Sequence, residues 1–231
     1  ETAASVCDAL CMEIKRLGIE IFLECNIESI YKKEDFLIDC YDNNENRRVN
    51  TKSVILAAGS NALPVSGSDG SGYKIALDMG CRVKRPLPAL VQLKSDNKFC
   101  KIMAGVRSTG TVKIYIDGKE ISRDTGEIQY TDYGISGIPV FQVSRFASVA
   151  LSRGAQVKAE IDFYPELDRK ELGRFLRERR QLLGDRNADS FLTGWFNKKL
   201  ALLFLRLAGI SPDRNVSSLT ETQLSELGRR I

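Results

Sequence analysis

Two prolines within three residues, at Arg85-Pro86-Leu87-Pro88, separate two stretches of chain with different hydrophobic periods. Proline fixes φ and removes a backbone donor, so neither a helix nor a central strand runs easily through this point. The spacing predicts a rigid crossing between domains. Before it, helical and strand periods alternate. After it, the pattern is first strand-like and then helical.

In residues 4–17, Val6, Leu10, Ile14 and Leu17 recur at helical spacing, and Gly18 stands at the natural stop. Residues 19–24 (IEIFLE) read as a strand. A helix closing on glycine and running into a strand is a unit of a layered α/β fold. Two extended runs, 27–32 and 35–41, end in the turn-rich Asp42-Asn43-Asn44-Glu45-Asn46 and predict a small antiparallel meander. Residues 53–58 (SVILAA) form a nearly continuous apolar run, the pattern of a strand buried on both faces. A small-residue loop over 66–72 then leads into a helix over 73–79 that stops at Gly80.

Past the prolines, residues 89–93, 99–106 and 112–116 read as strands. Asp117-Gly118, between TVKIYI and KEIS, is a two-residue hairpin signal, and 127–130 adds another strand. This part reads as antiparallel, either barrel-like or a curved sheet. Ser136 is placed to cap a helix over 137–152, with Pro139 tolerated in its first turn, and residues 156–163 give one more strand. From Glu166 the chain is helical. Leu172, Phe175, Leu176 and Leu183 make one face, and Leu192, Trp195, Phe196, Leu200, Leu203 and Leu207 make a second. Thr220 with Gln223 forms a capping box for a third helix. The expected organisation is a partial α/β domain over 1–85, a β-rich domain over 86–165 and a helical part over 166–231. No strand follows the last helix to return to the first sheet, so the fold reads as interrupted.

Composition narrows the function classes. With 43% hydrophobic and 28% charged residues over 231, the chain is an ordinary globular sequence. No apolar run approaches the ~20 residues needed to span a bilayer. The N-terminal Glu1-Thr2-Ala3-Ala4-Ser5 has neither the basic region nor the apolar core of a signal peptide, and it lacks a Met. A cytoplasmic protein cut from a longer chain is expected. The formal charge is +4, and residues 166–231 supply the whole surplus with 13 Lys/Arg against 9 Asp/Glu. Arg174, Arg177, Arg179 and Arg180 interleave with Glu171 and Glu178, as on a solvated helix face. No stacking aromatics accompany them, so no nucleic-acid partner is expected. Six cysteines without a CxxC pair, and no histidine at all, argue for reduced thiols and against structural zinc. The missing histidine also excludes a Ser-His-Asp or Cys-His hydrolase within this chain. Chemistry must come from carboxylates, Lys, Tyr, Cys or a bound cofactor.

Three motifs are candidates for that chemistry. The first is the small-residue strand end Ala57-Ala58-Gly59-Ser60, where backbone can pass close to a nucleotide. An ordinary strand-to-loop exit accounts for these residues equally well. The second is Gly67-Ser68-Asp69-Gly70-Ser71-Gly72, opening a helix with bare N–H groups that suit a phosphate or a flavin edge. It is not GxGxxG, and a plain turn is the competing reading. The third is Tyr130-Thr131-Asp132-Tyr133-Gly134-Ile135-Ser136-Gly137, where Asp132, Tyr133, Ser136 and Gly137 could line a substrate pocket. A tight strand-to-helix corner explains the same glycines.

Together with Pro86-Leu87-Pro88-Ala89-Leu90-Val91-Gln92-Leu93, these blocks stand in an order that resembles the NAD(FAD)-utilising dehydrogenases, also called aminoacetone-oxidase-like flavoproteins. The resemblance covers essentially the whole chain and is weakest after Glu166. It implies part of a glutathione-reductase-like FAD domain split by a β-rich and helical insert. It further implies that Ala57, Ala58, Gly59, Ser60, Gly67, Ser68, Gly70 and Gly72 lie along the flavin, that the backbone near Ile27 faces the adenine, and that the corner from Tyr133 to Gly137 approaches the isoalloxazine. Asp132 stands where the family has His, and Ala58-Gly59 where it has Thr-Gly. The chain lacks the N-terminal GxGxxG and the C-terminal FAD segment, so it reads as an internal fragment that retains FAD poorly. The implied function is oxidoreduction, with hydride moving between a nicotinamide, NAD(P)H, or a small-molecule substrate and FAD. The catalytic residue, the substrate and the oligomeric state stay open. The alternative is a binding or interaction module that works without flavin.

Overall fold

An antiparallel ribbon needs only local pairing, and residues 26–51 form one. Strands β1 (Asn26–Lys32), β2 (Phe36–Asp42) and β3 (Glu45–Thr51) make a three-stranded meander in the order β1-β2-β3. The computed structural model describes residues 2–42 and 45–231, so Glu1 and the turn residues Asn43 and Asn44 lie outside the described residues. Ile38 is paired with Ile30 on one side and Val49 on the other, which fixes the register. The polar sequence of β3, ENRRVNT, gave no apolar alternation by which to foresee it.

The chain forms two compact units, residues 1–85 and 86–231. In the first, helix α1 (Ala3–Arg16) follows the expected spacing but buries none of its residues. Helix α2 (Ser71–Asp78) buries Gly72 and Ile75 and lies against β1. Two expected strands are not strands. Residues 19–24 and 53–58 make no ladder, Ile55 is 92% exposed and Leu56 42%. A strand buried on both faces exists only between hydrogen-bonded neighbours, and no described segment pairs with either run.

The second unit is built on five strands: β4 (Leu93–Lys94), β5 (Arg107–Ile116), β6 (Lys119–Thr131), β7 (Gly134–Ser136) and β8 (Val157–Asp162). They pair antiparallel throughout, in the order β4-β7-β6-β5-β8. Asp117 and Gly118 turn between β5 and β6 with φ of 49° and 82°, the two left-handed residues of a type I′ turn. The two strands expected over 119–122 and 127–130 are one 13-residue strand. Residues 99–106 are not a strand. They hold the short helix α3 (Phe99–Met103), because Asn97 Oδ1 accepts the Phe99 N–H at 3.0 Å, and burial falls on Cys100 and Met103 three apart. In 89–93 only Leu93 enters a ladder, since Leu90 breaks the extended run with a φ of 54°.

Helix α4 (Ile138–Ser152) fills the concave side of this sheet. Val140, Val143, Ala147 and Ala150 recur at helical spacing and are all buried, and each of the two valines contributes about 2 kcal/mol by its burial. Gly137, not Ser136, is its N-cap. Ser136 is committed to β7 and 5% exposed, so it cannot cap. The two edge strands β4 and β8 both line one cavity with Ala147 and Leu151 of α4, so the sheet curls into a half-barrel around the helix.

Helices α5 (Arg169–Leu182), α6 (Lys198–Leu207) and α7 (Glu221–Arg230) extend the same core. Asp168 caps α5 through Lys170 N–H at 2.7 Å and Glu171 N–H at 2.8 Å. Thr220 and Gln223 form the expected box on α7. Leu192, Trp195 and Phe196 precede α6 in a turn segment rather than sharing its face. The rings of Tyr130, Phe163, Phe204, Phe196 and Trp195 run in contact from sheet to helices. Arg179 and Arg180 do not belong to a solvated face. Arg179 donates to the carbonyls of Phe191 and Thr193, and Arg180 to Leu219 O at 2.8 Å and Glu221 at 2.7 Å. Arg174 and Arg177 remain exposed as expected. Among the described residues no helix is long and apolar enough to cross a membrane.

Candidate functional site

In the first unit, the two small-residue loops meet. Ser68 Oγ donates to Ser60 O and reaches Ala58 O at 3.3 Å, while Leu63 and Ser68 form an isolated bridge. The approach is tight enough to require small residues. A Cβ on Gly59 would fall 2.2 Å from Ser68 Oγ, and one on Gly72 would fall 2.9 Å from Ala58 Cβ. Gly67 and Gly70 turn with φ of 85° and 86°. Ala57, Ala58 and Gly59 stay exposed, which leaves a flat strip of bare backbone and methyl groups. The α2 N-terminus carries its own anion, because Asp69 Oδ1 accepts the Ser71 N–H at 2.9 Å. That N–H holds the Asp69 carboxyl below its usual range, so the charge persists at neutral pH. A phosphate gains nothing there, whereas a neutral planar edge meets no penalty. Ile27 stands apart on β1, opposite Cys40 at a register shift, and is 42% exposed.

In the second unit, the proline-rich block and the Tyr-Gly corner come together. β4 pairs with β7, matching Leu93 to Ile135 and Lys94 to Gly134. Ser95 N–H donates to Tyr133 O at 2.9 Å, and Tyr133 Oη donates to Gln92 Oε1. The glycines here are required by contact. A Cβ on Gly134 would sit 2.0 Å from Leu93 O, and one on Gly137, whose φ is 110°, would sit 2.3 Å from Glu127 O. Asp132 and Tyr133 are exposed, whereas Ser136 is buried in β7. The Oγ of neighbouring Thr131 is buried without a partner among the described residues.

Three residues of this corner were not singled out in the sequence. Gln92 is an unremarked position between Val91 and Leu93. Leu90 gives no sign of its left-handed backbone, since leucine is not a turn residue. Ser144 did leave a signal, as the only hydroxyl between the buried Val143 and Ala147 of α4. It is fully buried, accepts Val91 N–H at 3.1 Å and donates to Phe141 O at 2.8 Å.

A separate groove of about 410 Å³ lies between α5 and α7, and Arg169, Arg177 and Arg229 line it with Glu221. Gly173 and Gly228 keep its floor low. Arg177 lies 3.8 Å from Glu221 and Arg229 3.3 Å from Glu226, so an anionic ligand would compete with these carboxylates for the groove's cations.

Residues 87–231 match the family described as HI0933-like protein barrel and H2TH domain. Over 231 residues, 99% of this chain and 55% of the relative, the chain is 36% identical to the 3-dehydro-bile acid delta(4,6)-reductase of Clostridium scindens. Over 230 residues, 98% of this chain and 54% of the relative, it is 23% identical to the ribosomal RNA dihydrouridine synthase of Haemophilus influenzae. The chain thus spans about half the length of these curated relatives. Neither match carries the aminoacetone specificity of the resemblance. With a curled antiparallel sheet, a following set of packed helices and a match that runs over both, this chain belongs to the HI0933-like family.

Proposed function

We propose that the whole protein is a flavin-dependent reductase that saturates a carbon–carbon double bond conjugated to a carbonyl. The observation that carries this reading is the pair of relatives that align with nearly all of the chain. One is named for reducing the Δ4,6 system of a 3-oxo steroid and the other for making dihydrouridine. In both named reactions a ring double bond conjugated to a carbonyl gains two hydrogens. Flavin, when bound, supplies hydride for such a step, and NAD(P)H is the proposed donor that recharges it.

The strip formed by Ala57, Ala58, Gly59, Ser60, Gly67, Ser68, Gly70 and Gly72 fits a planar neutral ring, because side chains there would fill the approach. The Asp69 carboxylate at the α2 N-terminus supports placing the flavin ring or its ribityl chain along that strip rather than the pyrophosphate. Ile27 is proposed to face the adenine. Asp132 and Tyr133 form the proposed substrate-facing edge, with Gly137 giving the close turn. Ser136, being buried, acts there through its backbone.

The test supplies full-length protein with NAD(P)H and, in turn, a 3-oxo-4,6-diene steroid and ribosomal RNA lacking dihydrouridine. Mass spectrometry of the products reads the saturation of a double bond. Saturation of either substrate supports the reading. Turnover of neither, by protein that carries flavin, contradicts it.

A second reading concerns the substrate. The arginine-lined groove between α5 and α7 favours an anionic polymer over a small steroid. On that reading RNA is the substrate, contrary to the expectation from composition that no nucleic acid binds. The same assay decides between them by which substrate is saturated.

A further inference from the structure

The sequence points to Tyr133 as the donor of the corner, but the structure has already committed its proton. Tyr133 Oη donates to Gln92 Oε1, and the amide nitrogen of Gln92 has no partner among the described residues. Gln92 is exposed while the backbone on both sides of it is fixed. On one side Val91 N–H is held by the buried Ser144, and on the other Leu93 pairs with Ile135. One residue earlier, Leu90 adopts a φ of 54° with its side chain 66% exposed. A leucine held left-handed with its side chain in water is costly, and such strain persists only where surrounding structure enforces it. Here the Ser144 clamp and the β4–β7 ladder enforce it.

We infer that Gln92 receives the substrate carbonyl, donating from Nε2, with Tyr133 as the positioning residue that holds the amide and Leu90 as the apolar residue beside the bound ring. This inference rests on the reading that the substrate is an unsaturated carbonyl compound. When hydride adds to the β-carbon of a conjugated double bond, negative charge develops on the carbonyl oxygen until a proton from solvent reaches the α-carbon, and a pre-oriented donor at that oxygen stabilises it. The hydrogen bond that Gln92 Oε1 accepts from Tyr133 polarises the amide and makes its N–H the stronger donor. An unheld glutamine would lose this advantage to rotamer freedom.

The test is optical and needs no turnover. A 3-oxo-4-ene steroid is titrated into the full-length protein, and the ultraviolet band of its enone is followed. Donation to the carbonyl moves that band to longer wavelength. The unmutated protein is expected to shift it. Gln92→Leu is expected to abolish the shift and weaken binding by up to about tenfold, as the loss of one hydrogen bond allows. Tyr133→Phe is expected to leave a smaller shift with binding little changed, and Gln92→Glu to abolish it. A full shift in folded Gln92→Leu overturns this inference and leaves the unsaturated-carbonyl reading standing. Failure of the unmutated protein to bind the steroid enone overturns this inference, while the unsaturated-carbonyl reading falls only if flavin-carrying protein saturates neither substrate in the turnover assay.

Discussion

Residues 86–231 bury Val112, Ile114, Ile128, Leu176, Leu200 and Leu227 completely, whereas residues 1–85 leave Ile55 92%, Val65 91% and Leu23 76% exposed. The two units have comparable apolar content in their key runs, so composition does not make the difference. Topology does. Every strand of the second unit finds an antiparallel neighbour in its own sheet, and its helices close over one continuous core. In the first unit only the meander closes locally. The runs 19–24 and 53–58 have the composition of strands whose neighbours come from far away in sequence, and no described segment pairs with them. A pattern of side chains states what a strand would bury. It does not supply the ladder.

The sharpest way to break this comparison is a pair of truncations. Phe204→Ala in the second unit should cost about 3–5 kcal/mol, because Phe204 is 1% exposed and packs on Phe163 and Phe196. Ile55→Ala in the first should leave stability nearly unchanged. Urea unfolding of both variants checks the contrast, and equal losses would contradict it. Glycine replacements come next. Gly137→Ala meets the Glu127 carbonyl at 2.3 Å with a φ of 110°, so a loss on the order of 2 kcal/mol is expected. Gly59→Ala, at a φ of 73°, meets the Ser68 hydroxyl, which can rotate, and the Ser68 Cβ at 3.1 Å, and a smaller loss of about 1 kcal/mol is expected there. Thermal melts that rank the two in reverse would undo the contrast between a backbone carbonyl packed against Gly137 and a side-chain hydroxyl against Gly59. Thr220→Ala removes one half of the α7 capping box and should cost about 1 kcal/mol.

The smallest expected effect lies in the meander. Arg48 bonds Asp39 at 2.6 Å and holds its carboxyl below the usual range, both groups being solvent-accessible. A carboxyl depressed in the folded state contributes stability above its unfolded value and loses it as pH falls through the folded one. Acid should therefore weaken the meander slightly. An NMR titration of Asp39 in Arg48→Gln should return the carboxyl toward its ordinary value, and an unchanged titration would remove the ion pair from the account.

The sequence carried much of the fold wherever a local rule decides. Asp117-Gly118 announces its hairpin because only left-handed residues join two twisted strands in two positions. Thr220 and Gln223 announce their helix because the box satisfies its orphan donors. The strand-like pattern of 99–106 misled, since Asn97, whose Oδ1 accepts the Phe99 N–H, lies outside the run it redirects. Ser136 misled because a hydroxyl before a helix is a cap only if the backbone leaves it free, and β7 does not. At the candidate sites, the glycines marked where the backbone turns tightly but not which residues meet there. Gln92 meets Tyr133 from 41 positions away, and Ser144 meets Val91 from 53 positions away. Such pairs are set by tertiary packing and leave no periodic trace.

The central proposal is that the whole protein is a flavin-dependent reductase. Its most direct test is the visible spectrum of a protein extended at both ends to the length of its relatives, taken before and after anaerobic NAD(P)H and then after a 3-oxo-4,6-diene steroid or ribosomal RNA. The account predicts flavin bands that bleach with the nicotinamide and return with one of the two acceptors. A folded, extended protein without flavin bands would contradict it and leave a binding module in its place.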